Sequence, residues 1–221
     1  SGAAASALYG SDAANGVIMI TTKKGTVGKV RVSYSNNTSF FSPFVTPEFQ
    51  NTYGQTGTGT FSSWGSKLAT PSSYDPLDFF QTGYNVGNSV TFSVGSEHSQ
   101  TFVSASTTNA EGIVENNEMS RYNFTVRNTT DFLKDRLHLD LSAMYMSVKE
   151  QNMISQGFYF NPIVPVYLFP AGDDIRKYTP FEQYDPERNF KTQYWPFGNQ
   201  GLSMMNPYWE INRDIAENHK D

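Results

Sequence analysis

Five separate stretches of this chain alternate apolar and polar residues with a period of two. That pattern constrains the fold more than any other feature, because successive side chains on a strand point to opposite faces. Val30, Val32 and Tyr34 interleave with Arg31, Ser33 and Ser35, and Val90, Phe92 and Val94 with Ser89, Thr91 and Ser93. A third, weaker segment runs from about Gln100 to Thr107 around Phe102 and Val103; in the fourth, Tyr122, Phe124 and Val126 alternate with Asn123, Thr125 and Arg127. The fifth is the clearest: Leu137, Leu139, Leu141, Ala143 and Tyr145 alternate with His138, Asp140, Ser142, Met144 and Met146. Five strands, each with one apolar and one polar face, are predicted.

The connections narrow the architecture further. Only residues 96–99 separate strands two and three, and only residues 133–135 separate four and five, whereas the connections at 42–87, 109–120 and 150–221 are long. Strict alternation of short and long connections is what an up-and-down transmembrane barrel produces, and a β-sandwich has no reason to follow it. The fifth segment also outruns a globular strand of about 5–6 residues and suits a tilted membrane strand of about 9–11. An apolar face turned to lipid explains how clean apolar stripes coexist with only 38% hydrophobic and 17% charged residues. Tyr34, Phe40, Phe41, Tyr122 and Tyr145, near strand ends, suit the aromatic girdles of such a wall. Five strands cannot close, and an open edge in hydrocarbon leaves unpaired backbone groups at several kcal/mol each. The expectation is an all-β chain that forms one end of a larger antiparallel barrel.

Several function classes are disfavoured. Sixteen Lys and Arg against 21 Asp and Glu give a net charge of -5, so the footprint of a nucleic-acid binder is missing. The absence of cysteine excludes disulfides, a thiol nucleophile and thiolate metal sites. The three histidines, His98, His138 and His219, lie far apart without metal-ligand spacing, no Ser/His/Asp set is signalled, and the Gly10–Gly16 turn lacks the lysine of a phosphate loop. No enzyme and no cofactor are expected; Asp173-Asp174 and Asp185-Pro186-Glu187 are the carboxylates that calcium in an outer loop would use.

The long connections carry Phe61, Trp64, Tyr74, Tyr178, Tyr184, Tyr194, Trp195, Tyr208 and Trp209. Rings with polar tips stack on sugars or pack against a partner; alternatively, loops this long need aromatics to fold on themselves. Trp64, Tyr74, Trp195, Tyr208 and Trp209 are the substrate-binding candidates. A secreted β-sandwich that binds glycan through loop aromatics is the competing architecture, with loops of comparable length at both ends; an outer-membrane enzyme or adhesin barrel is a third.

Residues 6–25 read Ser-Ala-Leu-Tyr-Gly-Ser-Asp-Ala-Ala-Asn-Gly-Val-Ile-Met-Ile-Thr-Thr-Lys-Lys-Gly. This run closely resembles the end of the plug domain in SusC/RagA-type TonB-dependent outer-membrane transporters, with Asp12 where many members carry a basic residue. Glu111-Gly112-Ile113 with Asn117 and Arg121 resembles the family's second outer loop, and Asn206-Pro207-Tyr208-Trp209 an element of its third. The resemblance implies a plug inside a barrel of about 22 strands in a bacterial outer membrane. It also implies a SusD-like lipoprotein partner, drive through TonB by a segment outside this chain, and import of an oligosaccharide or peptide. On that reading residues 1–25 end the plug, with Tyr9, Gly10, Asn15 and Gly16 in its turn and 17–22 as a plug strand. Residues 26–221 then hold the first five wall strands and their outer loops.

Overall fold

The computed structural model describes residue 10 and residues 23–151, 157–197 and 204–221. Gly10 is exposed at φ +85°, a left-handed conformation that glycine adopts without steric cost. Tyr9, Asn15, Gly16 and the strand expected at 17–22 lie outside the described residues.

Five long strands follow one another: β1 (Gly28–Phe41), β2 (Gly83–Gly95), β3 (Ser99–Glu111), β4 (Glu118–Phe132) and β5 (Leu137–Gln151). They pair in sequence order within one sheet, and side-chain partners show the pairing to be antiparallel. Ser99, Thr101 and Ser106 of β3 meet Thr130, Asn128 and Asn123 of β4, so one number rises as the other falls. Each strand runs 13 to 15 residues, longer than its alternating stretch, because pairing continues where both faces become polar, as at Asn36-Asn37-Thr38.

Three expectations change. The first long connection, read as 42–87, is residues 42–82, because β2 begins at Gly83 and pairing takes in residues without an apolar period. The second long connection, read as 109–120, shrinks to residues 112–117, where the Gly112 amide donates to the Asn117 carbonyl at 2.7 Å and strands continue on either side. The last connection does not run to the end of the chain. A short strand at Glu217–Lys220 joins the edge of β5, with Val148 opposite Lys220 and Gln151 opposite Glu217. Its sequence, Glu-Asn-His-Lys, has no apolar alternation to announce it.

Contacts divide the chain into two compact units. The first holds the two tight turns with the strand ends beside them, and residues 23–27. Here a polar face is laid out by Arg127, whose guanidinium grips the Asp140 carboxylate at 2.6 and 2.9 Å, by His138 bonded to Asp131, and by Lys24, 4.0 Å from Asp140. The Thr26 amide donates to Ser93 Oγ at 3.0 Å. A Cβ on Gly25 would lie 2.6 Å from the Thr101 amide nitrogen, so glycine alone lets this segment run against β3. At the 133–136 turn Leu133, Lys134 and Asp135 all take positive φ, at a cost of roughly 1–2 kcal/mol each.

The second unit holds the other strand halves and the long connections. The connection between β1 and β2 contains a 3-10 turn at Pro76–Phe79. The last connection contains helix α1 (Ile163–Leu168), a 3-10 turn at Ile175–Tyr178, the hairpin β6 (Glu182–Asp185) and β7 (Phe190–Gln193), and helix α2 (Pro207–Arg213); the edge strand at Glu217–Lys220 is β8.

Along two of the strands the apolar face gives way to polar residues. In β1, Val30, Val32 and Tyr34 give way to Asn36, which shares Asn88 Oδ1 with the Tyr34 hydroxyl at 2.8 and 2.7 Å. In β4, Tyr122, Phe124 and Val126 give way to Asn128 and Thr130, bonded to Thr101 and Ser99 at 2.9 and 3.0 Å. The apolar side chains of the strands stay uncovered: Val32 is 63% and Leu141 57% exposed.

Candidate functional site

The long connections fold around an aromatic core of their own. Val166 and Ile175 are fully buried, and the Phe169 ring lies 5.1 Å from Tyr74, 5.7 Å from Trp195 and 5.8 Å from Phe197. Phe61 closes on Phe197 at 4.3 Å. Rings at such separations add about 0.5–1.5 kcal/mol per pair beyond the area they bury.

Polar anchors fix the geometry. Asn206, wholly buried, caps α2 by accepting from the Tyr208 amide at 2.9 Å, while its own amide nitrogen donates to the carbonyls of Tyr178 and Tyr194 at 3.0 and 2.9 Å. Pro207 at the first helical position suits the same cap. Asn116, at φ +64°, donates to the Ile211 carbonyl at 2.9 Å and ties the short second loop to α2. The Tyr74 hydroxyl donates to the Val166 carbonyl at 2.9 Å. Burial first, then nearby Tyr208 and Asp75, push its ionisation up, so it remains a donor.

The first connection and α1 enclose a cleft of about 980 Å³. Its floor is set by Gln50, whose side-chain nitrogen donates to the carbonyls of Tyr53 and Ser63 at 2.8 and 2.7 Å while its oxygen accepts from the amides of Thr52 and Tyr53 at 3.0 and 2.9 Å. Ser63 Oγ accepts from the Ala171 amide at 3.2 Å, bringing the start of the post-α1 segment onto the same wall. Phe49, Trp64, Tyr74 and Tyr167 supply rings, and serines and amides the polar lining. Trp64 is 73% exposed, its ring 6.2 Å from Tyr53.

The five aromatic candidates therefore separate. Trp64 and Tyr74 line the cleft. Trp195 belongs to the core, its indole N–H spent on the Met204 carbonyl at 2.9 Å. Tyr208 packs on Phe79 at 5.5 Å, and Trp209 sits 6.4 Å from Phe181. Phe49 and Tyr167 were not singled out in the sequence. Tyr167 lies inside the apolar run 162–170, whose residues carry no period, and Phe49 in a short Pro/Thr stretch without pattern.

Three of the candidate calcium carboxylates, Asp173, Asp174 and Asp185, have protein partners. Burial opposes the charged form of Asp173, but the Lys177 ammonium and Tyr178 hydroxyl, each at 2.7 Å, outweigh it and hold its carboxyl below the ordinary range. Asp174 is lowered by its two-pronged bond to Arg176, and Asp185 accepts from the Glu187 and Arg188 amides. Among the described residues no group of three or more His, Asp or Glu side chains is placed to hold a metal ion. Glu210 on α2 is different: burial, then the charge of Asp214, pushes its carboxyl up to about 8, and neither oxygen has a hydrogen-bond partner.

Comparison with known proteins gives a consistent result. The chain is 28% identical, over 98% of its length, to the TonB-dependent receptor SusC of Bacteroides thetaiotaomicron. It is 33% identical over 58% of its length to the TonB-dependent receptor P3 of Formosa agariphila, and 28% identical over 80% to receptor P26 of the same organism. It spans 23%, 13% and 19% of those proteins. No family model matches.

Proposed function

We propose that this chain, a segment of the SusC-like TonB-dependent receptor type, is part of an outer-membrane β-barrel that imports a nutrient, an oligosaccharide or peptide, under TonB drive and with a SusD-like lipoprotein at its mouth. The observation that carries the reading is the set of long antiparallel strands whose alternating apolar side chains stay exposed. In water such a face is a liability; against hydrocarbon it is the required surface. The opposite face, with Arg127, Asp140, His138 and Asp131, lines the wet interior. Residues 23–27 lie on that polar face, which is where a chain leaving a plug would enter the wall; residues 1–25 then end the plug. No covalent chemistry is involved, and the long connections face outward while the 96–98 and 133–136 turns face the periplasm.

Two measurements test this. Single cysteines at Thr58 and Lys134 in intact cells should react with an impermeant reagent at Thr58 only; labelling at Lys134 alone would reverse the orientation. Growth on the nutrient of the whole protein should fail when its gene is deleted and when the proton gradient across the inner membrane is collapsed. Gradient-independent uptake would contradict TonB drive.

A further inference from the structure

We propose that the cleft between the first connection and α1 is an outer capture site for an uncharged, hydroxyl-rich chain molecule, a neutral oligosaccharide, with Trp64 as its stacking platform; the proposal rests on the import reading above. Three observations point there. First, the cleft has the size of a small-molecule site, about 980 Å³ against the usual range of roughly 300–1,000 Å³. Second, its rings and polar groups are interleaved: Phe49, Trp64 and Tyr167 offer flat apolar faces, while Asn51, Ser62 and Ser73 offer short donors and acceptors. A pyranose ring presents the same mixture, an apolar C–H face with hydroxyls around the rim. Third, the charge is one-sided. Among the described residues lining the cleft the ionisable acids are Glu48 and Asp75, and no Lys, Arg or His is present. A phosphorylated or uronic-acid ligand would meet two carboxylates and no counter-charge. Trp64 matters most because it is the largest exposed ring there, and its backbone is held in place: Gln50 fixes the Ser63 carbonyl next to it, and the Gly65 amide donates to the Gly54 carbonyl at 2.9 Å. Exposed rings on a rigid frame bind with little ordering cost.

The experiment uses the full-length receptor in detergent and calorimetric titration with neutral hexasaccharides of α-glucan, β-glucan, xylan and mannan type, plus hexagalacturonate and an uncharged hexapeptide. At least one neutral hexasaccharide should bind. Trp64→Ala should weaken that binding about tenfold or more, and Trp64→Phe should retain most of it. Hexagalacturonate should bind at least about tenfold more weakly than the best neutral glycan. Binding of every neutral glycan that is unaffected by Trp64→Ala, preference for the acidic oligomer, or binding of the hexapeptide alone would each overturn the proposal. So would failure of a Ser73→Cys variant to react with a water-soluble maleimide in the native receptor, since the cleft would then be filled by other parts of the protein. Gradient-driven uptake that persists in Trp64→Ala cells, with unchanged binding, would overturn the capture site and leave import standing. Loss of uptake in the gene deletion with no gradient dependence would strike the import reading instead.

Discussion

The long strands and the long connections of this chain handle their apolar side chains in opposite ways. Val32 and Leu141 in the strands are 63% and 57% exposed, whereas Val166 and Ile175 in the last connection are fully buried. The loops solve the folding problem as a soluble domain does, with an aromatic core, capped helices and satisfied amides. The strands bury almost nothing against protein. Their stability comes from backbone ladders, polar rows such as Tyr34–Asn88–Asn36, and a face that only lipid makes favourable. The same residue types thus carry different meanings in the two regions, and substitutions should separate them.

The largest effect is expected where the loop core is cut. Trp195→Ala removes the ring packed on Phe169, Tyr178 and Phe197, a loss of about 3–5 kcal/mol for a buried aromatic. The loops of the assembled receptor should become protease-sensitive while heat-modifiable barrel mobility on a gel is unchanged. Loss of the barrel as well would mean that loops and wall fold as one body. Next comes the lipid face. Leu139→Arg places a cation in hydrocarbon at about 2–4 kcal/mol near the midplane, whereas Ser142→Arg enters a polar interior at little cost. Assembled barrel measured by heat modifiability should fall for the first only, and equal yields would contradict the assignment of faces.

Asn206→Ala leaves the Tyr178 and Tyr194 carbonyls and the Tyr208 amide without their partner. About 1–3 kcal/mol of local stability should go, seen as faster hydrogen exchange around α2. Glu210 adds a pH dependence to the same region. Its folded carboxyl titrates at about 8 against an ordinary 4.5. Its neutral form therefore favours the fold fully below pH 4.5, and that contribution is lost as pH rises to about 8. Asp214, also raised by burial, acts in the same direction. Proteolysis of the last connection should quicken from pH 5 to pH 9, and Glu210→Gln should flatten the profile; an unchanged slope would place the titrating group elsewhere. The smallest effect is expected at Asp140→Asn, which loosens a solvent-screened pair with Arg127, and barrel yield should barely move.

The wall was largely legible from the residues, the site less so. Leu137, Leu139 and Leu141 alternate with His138, Asp140 and Ser142 because one face must be apolar, and such a requirement leaves a period in the sequence. β3 was only half readable, since Phe102 is buried on the face it shares with Gln100 while Ser99 and Thr101 take the opposite face. β8 left no period at all: Glu217–Lys220 pairs through its backbone, which any side chain permits. Among the loop aromatics, composition could not separate Trp64, which lines a cleft, from Trp195, which packs inside. Both are tryptophans in polar surroundings, and only the long-range packing of Phe169 and Phe197 decides which one is covered. Asn206 was visible as part of Asn-Pro-Tyr-Trp, but its role as cap and crosslink depends on carbonyls 12 and 28 residues away.

The most direct test of the central claim is a spin-label scan of residues 137–146, one cysteine at a time, in the full-length receptor reconstituted in lipid bilayers. Accessibility to oxygen, which concentrates in hydrocarbon, should peak at 137, 139, 141, 143 and 145, and accessibility to a water-soluble nickel chelate at the positions between them. A scan without a two-residue period, or one in which the odd positions meet the nickel chelate, would contradict a wall strand with its leucine face in the membrane.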